Sequence, residues 1–235
     1  MPMQFKIDDK IFEQYPSLNI GVVVAKGINN TGENTDVLAM LVEQSNSIKS
    51  KYDLETLKEV PKIHAWREAY SAFGAKPKKY TCSVENLYRM ILEDIHLKHI
   101  NKIVDIYNYI SLKHMVPVGG DDIDKVDGDI TLRFATGKEP FIRLNSDEID
   151  YPKTGEVIYA DNKEVLCRRW NWRECDKSKM TEQTKNVTLV VEGLAPVTKE
   201  DVQSIVTELE QLVRNFCGGK ILTHVLNRAQ KEIEI

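Results

Sequence analysis

One segment limits the fold more than any other. From about Lys102 to Met115, apolar residues fall on nearly every face of a helical projection: Ile103, Val104, Ile106, Tyr107, Tyr109, Ile110, Leu112 and Met115. A helix of this kind has no face to offer water, so other elements must cover it all round. It also carries Asn101, Asp105 and Asn108 on one narrow stripe, and polar groups taken into an interior need hydrogen-bond partners there. The chain has material for such a cover, with 235 residues, of which 42% are apolar and 29% charged. These figures exclude general disorder and fit one large domain or two small ones.

The surrounding pattern predicts an α+β protein. Before the buried helix, Leu18 to Lys26 reads as a strand covered on both faces, because Ile20-Gly21-Val22-Val23-Val24-Ala25 is apolar throughout. A turn-rich stretch, Gly27 to Asn34, leads into a helix from about Thr35 with Val37, Leu38, Leu41 and Ile48 on one face. Pro61 opens a second helix bearing Ile63, Trp66, Tyr70 and Phe73, which Gly74 ends. Ser83 is the expected N-cap of a third, which buries Val84, Leu87, Tyr88, Ile91, Leu92 and Ile95. Lys76-Pro77-Lys78-Lys79-Tyr80 between them reads as an extended basic linker.

From about Asp129 the period changes to two. Ile130, Leu132 and Phe134, a turn at Thr136-Gly137-Lys138, then Phe141, Ile142 and Leu144 predict a β-hairpin. A second hairpin is expected from Glu156 to Tyr159 and Glu164 to Arg168, and a further strand from Val187 to Val191. Thr198 with Asp201 opens a last amphipathic helix, ended by Gly218-Gly219. Helices thus dominate the first half and an antiparallel or mixed sheet the second.

Charge and motifs remove several functions. With 36 acidic and 32 basic residues the formal charge is −4, which argues against coating nucleic acid through a broad basic surface. No run approaches the roughly 18 apolar residues of a membrane span, and MPMQFKIDDK lacks a signal-peptide core. A cytoplasmic protein is expected. Cys82, Cys167, Cys175 and Cys217 are too sparse for a disulfide scaffold. Phosphate-loop, dinucleotide-binding and zincin motifs are missing, so no cofactor is expected. His96 and His99 have a chelating spacing without a third ligand in register, so no metal is assigned.

Three features exceed what packing requires. In Pro117-Val118-Gly119-Gly120-Asp121-Asp122, two glycines allow positive φ and close backbone approach, as in an anion nest or oxyanion site, while the carboxylates suit an ammonium group. A plain turn with solvated acids is the simpler reading. Arg168-Arg169-Trp170-Asn171-Trp172-Arg173-Glu174 offers guanidinium and indole faces for bases and phosphates, unless strand alternation buries the tryptophans. Lys177 to Asn186 is a hydroxyl- and amide-rich loop, either solvated or a contact for a nucleic-acid backbone.

These residues carry a resemblance. Ile100 to Leu112, with Pro117 after it, is similar to the N-x-V-V-D-x-x-N-Y-V-x-L…P stretch in the B3/B4 module of the phenylalanyl-tRNA synthetase beta subunit. The chain resembles even more the free-standing B3/B4 proteins, through Trp66-Arg67-Glu68-Ala69-Tyr70, Phe73-Gly74, Lys76-Pro77-Lys78, Val118-Gly119-Gly120 and Arg168 to Trp172. The resemblance implies one B3/B4 domain over 1–235. Its core spans 60–219, preceded by a strand-helix part over 1–55 and followed by a C-terminal extension over 220–235.

In the synthetase this module hydrolyses tyrosine wrongly esterified to tRNA, because a synthesis site that admits a near-isostere needs a second site to destroy the error. The resemblance therefore implies an α+β trans-editing deacylase acting on aminoacyl-tRNA, with a synthetase as a further partner. Gly119, Gly120, Asp121 and Asp122 are the expected catalytic residues. Asn108, Tyr109, Arg168, Trp170, Asn171, Trp172, Arg173, Thr181 and Thr184 are expected to bind substrate, and Lys76, Lys78 and Lys79 the RNA backbone. Gly119 stands where the family carries a histidine, and Lys179 where it carries a glutamate. The alternative is a non-catalytic module that binds RNA or an amino-acid-like ligand.

Overall fold

A computed structural model describes residues 2–235. The chain opens with β1 (Gln4–Ile7), α1 (Asp9–Gln14), β2 (Asn19–Lys26) and α2 (Thr35–Lys51). Next come α3 (Pro61–Ala72), α4 (Ser83–Leu92), α5 (Lys102–His114), β3 (Val118–Asp122) and β4 (Ile130–Phe134). Strands then dominate: β5 (Phe141–Ile142), β6 (Ile149–Asp150), β7 (Val157–Ala160), β8 (Val165–Arg168), β9 (Arg173–Glu174) and β10 (Asn186–Gly193). The chain ends with α6 (Lys199–Phe216), β11 (Lys220–Leu226) and β12 (Glu232–Glu234). This is the expected α+β order. No helix among the described residues is long and apolar enough to cross a membrane.

Local chemistry explains most boundaries. The Asn34 side chain accepts from the N–H groups of Asp36 and Val37, which starts α2. Pro61 occupies the first turn of α3, and Thr198 with Asp201 forms a reciprocal capping box on α6. Ser83 departs from its expected role as a cap. It lies inside α4, Cys82 flanks the helix, and the Ser83 N–H donates instead to Asn171 Oδ1 at 3.4 Å. The basic linker is a turn rather than extended, since the N–H groups of Lys79 and Tyr80 both bond to the Lys76 carbonyl. Pro77, second in that turn, favours it.

Two sheets carry the fold. A six-stranded sheet runs β12-β1-β4-β7-β8-β9, antiparallel except for the parallel β1–β4 pair, and a four-stranded antiparallel sheet runs β11-β2-β10-β3. The first expected hairpin does not form: β4 pairs with β1 and β7, while β5 pairs with β6. Glu139 explains the change. Its carboxylate accepts from the N–H groups of Thr136, Gly137 and Lys138 and from Arg133, which curls the loop on itself and sends Phe141 elsewhere. The second hairpin, β7–β8, forms as expected.

The four-stranded sheet is buried on both faces. Val23 and Ala25 of β2, with Val187, Leu189 and Val191 of β10, pack against α5 and α6. Ile20, Val22 and Val24 face the larger core under the six-stranded sheet. Helix α5 sits between the two cores, with Ile103, Ile106 and Ile110 in one and Leu112 in the other. Its polar stripe is largely satisfied: Asn101 bonds to Val104 N–H and to the Met180 carbonyl, and Asp105 to His99 Nδ1 at 2.5 Å.

Gly21 sets the distance between α6 and β2. A Cβ there would lie 2.1 Å from Val206 Cγ2 and 3.0 Å from Val202 Cγ1. A Gly21→Ala substitution therefore overpacks this layer and costs about 1–3 kcal/mol. Thermal denaturation should show Tm lowered by roughly 3–10 °C; an unchanged Tm would mean that α6 is not held this close.

Candidate functional site

Strand β10 brings the site together by alternation. Its odd residues enter the core beneath α6, whereas Thr188, Val190 and Glu192 face the seam between the two sheets. At that seam lies an inner chamber of about 50 Å³, lined by Val118, Gly119, Gly120 and Asp121 of β3, Val190 and Glu192 of β10, and Trp170, Asn171 and Glu174 opposite them. Phe5, Ser83, Tyr159 and Cys167 complete it. An outer mouth of about 160 Å³ adjoins it and shares Ser83, Val118 and Glu174; Thr81, Asn86, Tyr107, Asn108, Trp172 and Arg173 lie along its wall. A wider open groove of about 610 Å³ elsewhere, near Lys10, Arg133 and Lys163, contains none of the candidate site residues.

Gly119 and Gly120 do not form the expected turn. They lie in β3, paired with Val190 and Leu189, and neither has positive φ. Their smallness serves close approach: a Cβ on Gly120 would lie 2.1 Å from the Thr188 carbonyl, and one on Gly119 would lie 3.2 Å from Glu174 Oε1. The hydrogen-bond phase of β3 is set at its ends. Glu192 N–H donates to the Pro117 carbonyl, while Asp122 N–H donates away from β10, to the Ser178 carbonyl. By strand alternation, Val118 and Gly120 also turn their N–H groups outward from the ladder.

Three carboxyl groups surround the inner chamber. Burial pushes Asp121 up to about 6, although Ser178 Oγ donates to it at 2.5 Å. Burial, with the charge of Asp121 beside it, pushes Glu174 up to about 7. Among the described residues, the Glu174 side chain makes no hydrogen bond or ion pair. Burial also pushes Glu192 to about 7, against the donors Tyr159 Oη and Asn171 Nδ2, each at 2.6 Å, and a weaker contribution from the nearby Trp170 indole. Cys167 is held protonated, well above the ordinary thiol range, by burial and by these carboxyls. It is no nucleophile here.

The mouth carries a cationic aromatic stack. The Arg169 guanidinium lies 3.9 Å from the Tyr80 ring centroid and 4.4 Å from that of Trp172, and Arg173 lies 5.2 Å from the Trp172 centroid as well. Arg169 and Trp170 both adopt positive φ, +48° and +67°, which for residues this bulky is strained backbone. Lys76, Lys78 and Lys79 stand on the neighbouring turn, without acidic partners among the described residues, Lys79 beside Tyr80.

Several expected residues lie outside the cleft. Asp122 turns to the other face of β3, where it accepts from Thr184 Oγ1 at 2.7 Å and caps the following turn through Asp124 N–H. Thr184 is consumed by that contact, and Thr181 by bonds within its own loop. Arg168 is buried against Glu156 and Asp150 and braces the sheet. Tyr109 lies beyond the mouth, next to Lys113. Gly119, Gly120, Asp121, Asn108, Trp170, Asn171, Trp172 and Arg173 do line one of the two chambers. The sequence reading missed Glu174, Glu192, Ser83, Tyr80 and Arg169. Glu192 had a signal, since a charge ends an otherwise apolar strand run.

A B3/4 domain family model matches residues 65–234. The phenylalanine–tRNA ligase beta subunit of Fusobacterium nucleatum is 24% identical over 156 residues, covering 56% of this chain and 19% of that protein. The Chromobacterium violaceum beta subunit is 39% identical over 75 residues, covering 32% and 10%. The chain thus spans less than a fifth of the length of these relatives. An N-terminal fragment of the phenylalanyl-tRNA synthetase beta subunit from Pyrococcus horikoshii superposes with a TM-score of 0.48 at 16% identity, covering 92% of this chain and 49% of the fragment. With the family model matching well over half of its length, the chain belongs to the B3/4 domain family.

Proposed function

We propose that this protein hydrolyses the ester of aminoacyl-tRNA in trans, with Glu174 as general base. The observation that carries the reading is the Glu174 carboxyl, pushed up to about 7, without a partner among the described residues and standing where a side chain at Gly119 would crowd it, on the edge strand β3. The resemblance puts a histidine at position 119. Here the glycine leaves that space to a carboxyl that titrates in the range suited to base catalysis.

The chemistry follows from the lining. A water oxygen attacks the ester carbonyl carbon as ionised Glu174 takes its proton. The outward N–H of Gly120 supplies a donor for the oxyanion. The bond to the ribose oxygen then breaks as that oxygen takes the proton held by Glu174, releasing free tRNA and the free amino acid and restoring the carboxylate. Asp121 offers a carboxylate to the α-ammonium group. Outside, Tyr80, Arg169, Trp172 and Arg173 offer flat and cationic faces to the terminal nucleotides, and Lys76, Lys78 and Lys79 offer charge to phosphates.

A second reading is a binding module without turnover. It is favoured by Asp121 and Glu174 lying together, since such a pair retains an ammonium group whether or not a bond is cut.

A panel of correctly and wrongly charged tRNAs, followed for loss of the ester, decides between them. At least one should be deacylated faster than in buffer; binding without deacylation selects the module. Glu174→Gln should lower the rate about 100-fold or more. Because only the ionised carboxylate accepts the proton, the wild-type rate should rise with pH through about 7, and the variant should lose that rise. A pH-independent wild-type rate would remove Glu174 from the chemistry.

Affinity for tRNA should fall steeply between about 50 and 200 mM salt. Replacing Lys76, Lys78 and Lys79 by alanine should flatten the salt slope by about 1 per lysine. An unchanged slope would move the RNA path off this turn.

A further inference from the structure

We infer that the inner chamber is a selectivity subsite for a short, hydroxyl-bearing side chain, so that seryl and threonyl groups enter it and aromatic ones do not. The inference rests on the aminoacyl group entering this cleft, and it names the class of group that the cleft accepts.

The chamber contains hydrogen-bonding atoms that the fold leaves unused. Trp170 is fully buried and lines the chamber, yet among the described residues its indole Nε1–H completes no hydrogen bond, standing near the Glu192 carboxyl, which it helps to hold ionised, without closing on it. Ser83 Oγ, also lining it and itself buried, has none either. Buried polar atoms without partners are rare, and each one needs a reason. Here the donor is also fixed in place. The Trp170 ring packs edge-on against Tyr15 and Trp66, at centroid distances of 4.7 and 5.0 Å, and its backbone has φ +67°. Glu192 beside it is likewise held by Tyr159 and Asn171.

A hydroxyl matches this lining because it both accepts and donates. It can accept from Trp170 Nε1–H and donate to Ser83 Oγ or to the Glu192 carboxyl. A methyl group of similar size offers the indole N–H no acceptor and leaves Ser83 Oγ unpaired. Size excludes larger groups: the chamber is about 50 Å³, whereas a cavity that takes a benzene ring is about 150 Å³. A phenyl or phenol ring must therefore stay in the mouth.

Non-hydrolysable 3′-aminoacylamino-3′-deoxyadenosines carrying seryl, alanyl or phenylalanyl groups test this by calorimetry, independently of turnover. The seryl compound should bind at least tenfold tighter than the alanyl one, with the phenylalanyl compound weakest. Trp170→Phe keeps a ring and removes the N–H, so the seryl preference should collapse toward one. Should that variant fail to fold, the indole N–H resonances of the wild-type protein serve, since the chain has only Trp66, Trp170 and Trp172. Seryl binding should move the Trp170 resonance, and Ser83→Ala should weaken seryl but not alanyl binding. Equal seryl and alanyl affinities, tighter phenylalanyl binding, or an unmoved Trp170 resonance overturns the subsite. If charged tRNA is deacylated without seryl preference, the subsite alone is wrong. If no analogue binds, the placement of the aminoacyl group in this cleft falls with it.

Discussion

A buried carboxyl joins the two halves of this fold. Glu192 sits at the end of β10, in the four-stranded sheet, and accepts from Tyr159 of the six-stranded sheet and from Asn171 beyond β8. Asn171 Oδ1 in turn accepts from Tyr70 of α3 at 2.8 Å and from Ser83 N–H of α4. One side chain thus ties both sheets and, through one amide, two helices. The arrangement costs something in return. Burial raises Glu192 from 4.5 to about 7, so the folded chain holds that proton more tightly than the unfolded one between those values. The contribution to stability is complete below 4.5 and is lost as pH rises through about 7, worth about 3 kcal/mol on the shift itself. A seam held this way is polar by necessity. That is why a cleft exists where two apolar sheet faces would otherwise close on each other.

The same seam explains the strained backbone beside it. Arg169 and Trp170 occupy the left-handed region in succession, which bulky side chains avoid. The kink separates neighbouring side chains that a regular strand would have sent to predictable faces. Trp170 goes into the core, Arg169 lies over the edge-on pair of Tyr80 and Trp172, and Arg168 turns to Glu156. Packing of Trp170 against Tyr15, Trp66 and Phe73 offsets the strain.

Periodicity made the large elements legible. The all-round apolar pattern of α5, the uniform apolarity of β2, and the caps on α3 and α6 each follow from a local rule, and each appears where that rule puts it. Short strands such as β1 and β12 were illegible, because three or four residues carry no period and their pairing joins opposite ends of the chain. The false hairpin after β4 has a similar origin. Alternation was present, but one carboxylate, Glu139, gathering three backbone N–H groups outweighed the ladder. In the site, adjacency misled in a consistent way. Asp121 and Asp122 are neighbours in sequence yet point to opposite faces of β3, one to the chamber and one to Thr184. Glu174 lay within a motif already singled out, but its place against Gly119 depends on how two sheets meet. No spacing in the chain encodes that.

The distribution of charge makes sense of a modest net value. A formal charge of −4 would discourage a polyanion if it were spread evenly. Instead Asp121, Glu174 and Glu192 are drawn inside the seam, where burial raises all three and the charge of Asp121 adds to the rise at Glu174. Near neutrality Glu174 and Glu192 therefore carry only part of their charge, while Asp121 stays largely ionised. Arg169, Arg173 and the three lysines of the 76–79 turn ring the mouth, where water and salt moderate them. Under the proposed function, the phosphates of an aminoacyl-tRNA end would meet the cations and its ammonium group the carboxyls in one orientation, and like charges in the other. The seam would then orient that ligand before any specific contact forms, and titration of the inner carboxyls near pH 7 would adjust how strongly the ammonium end is held.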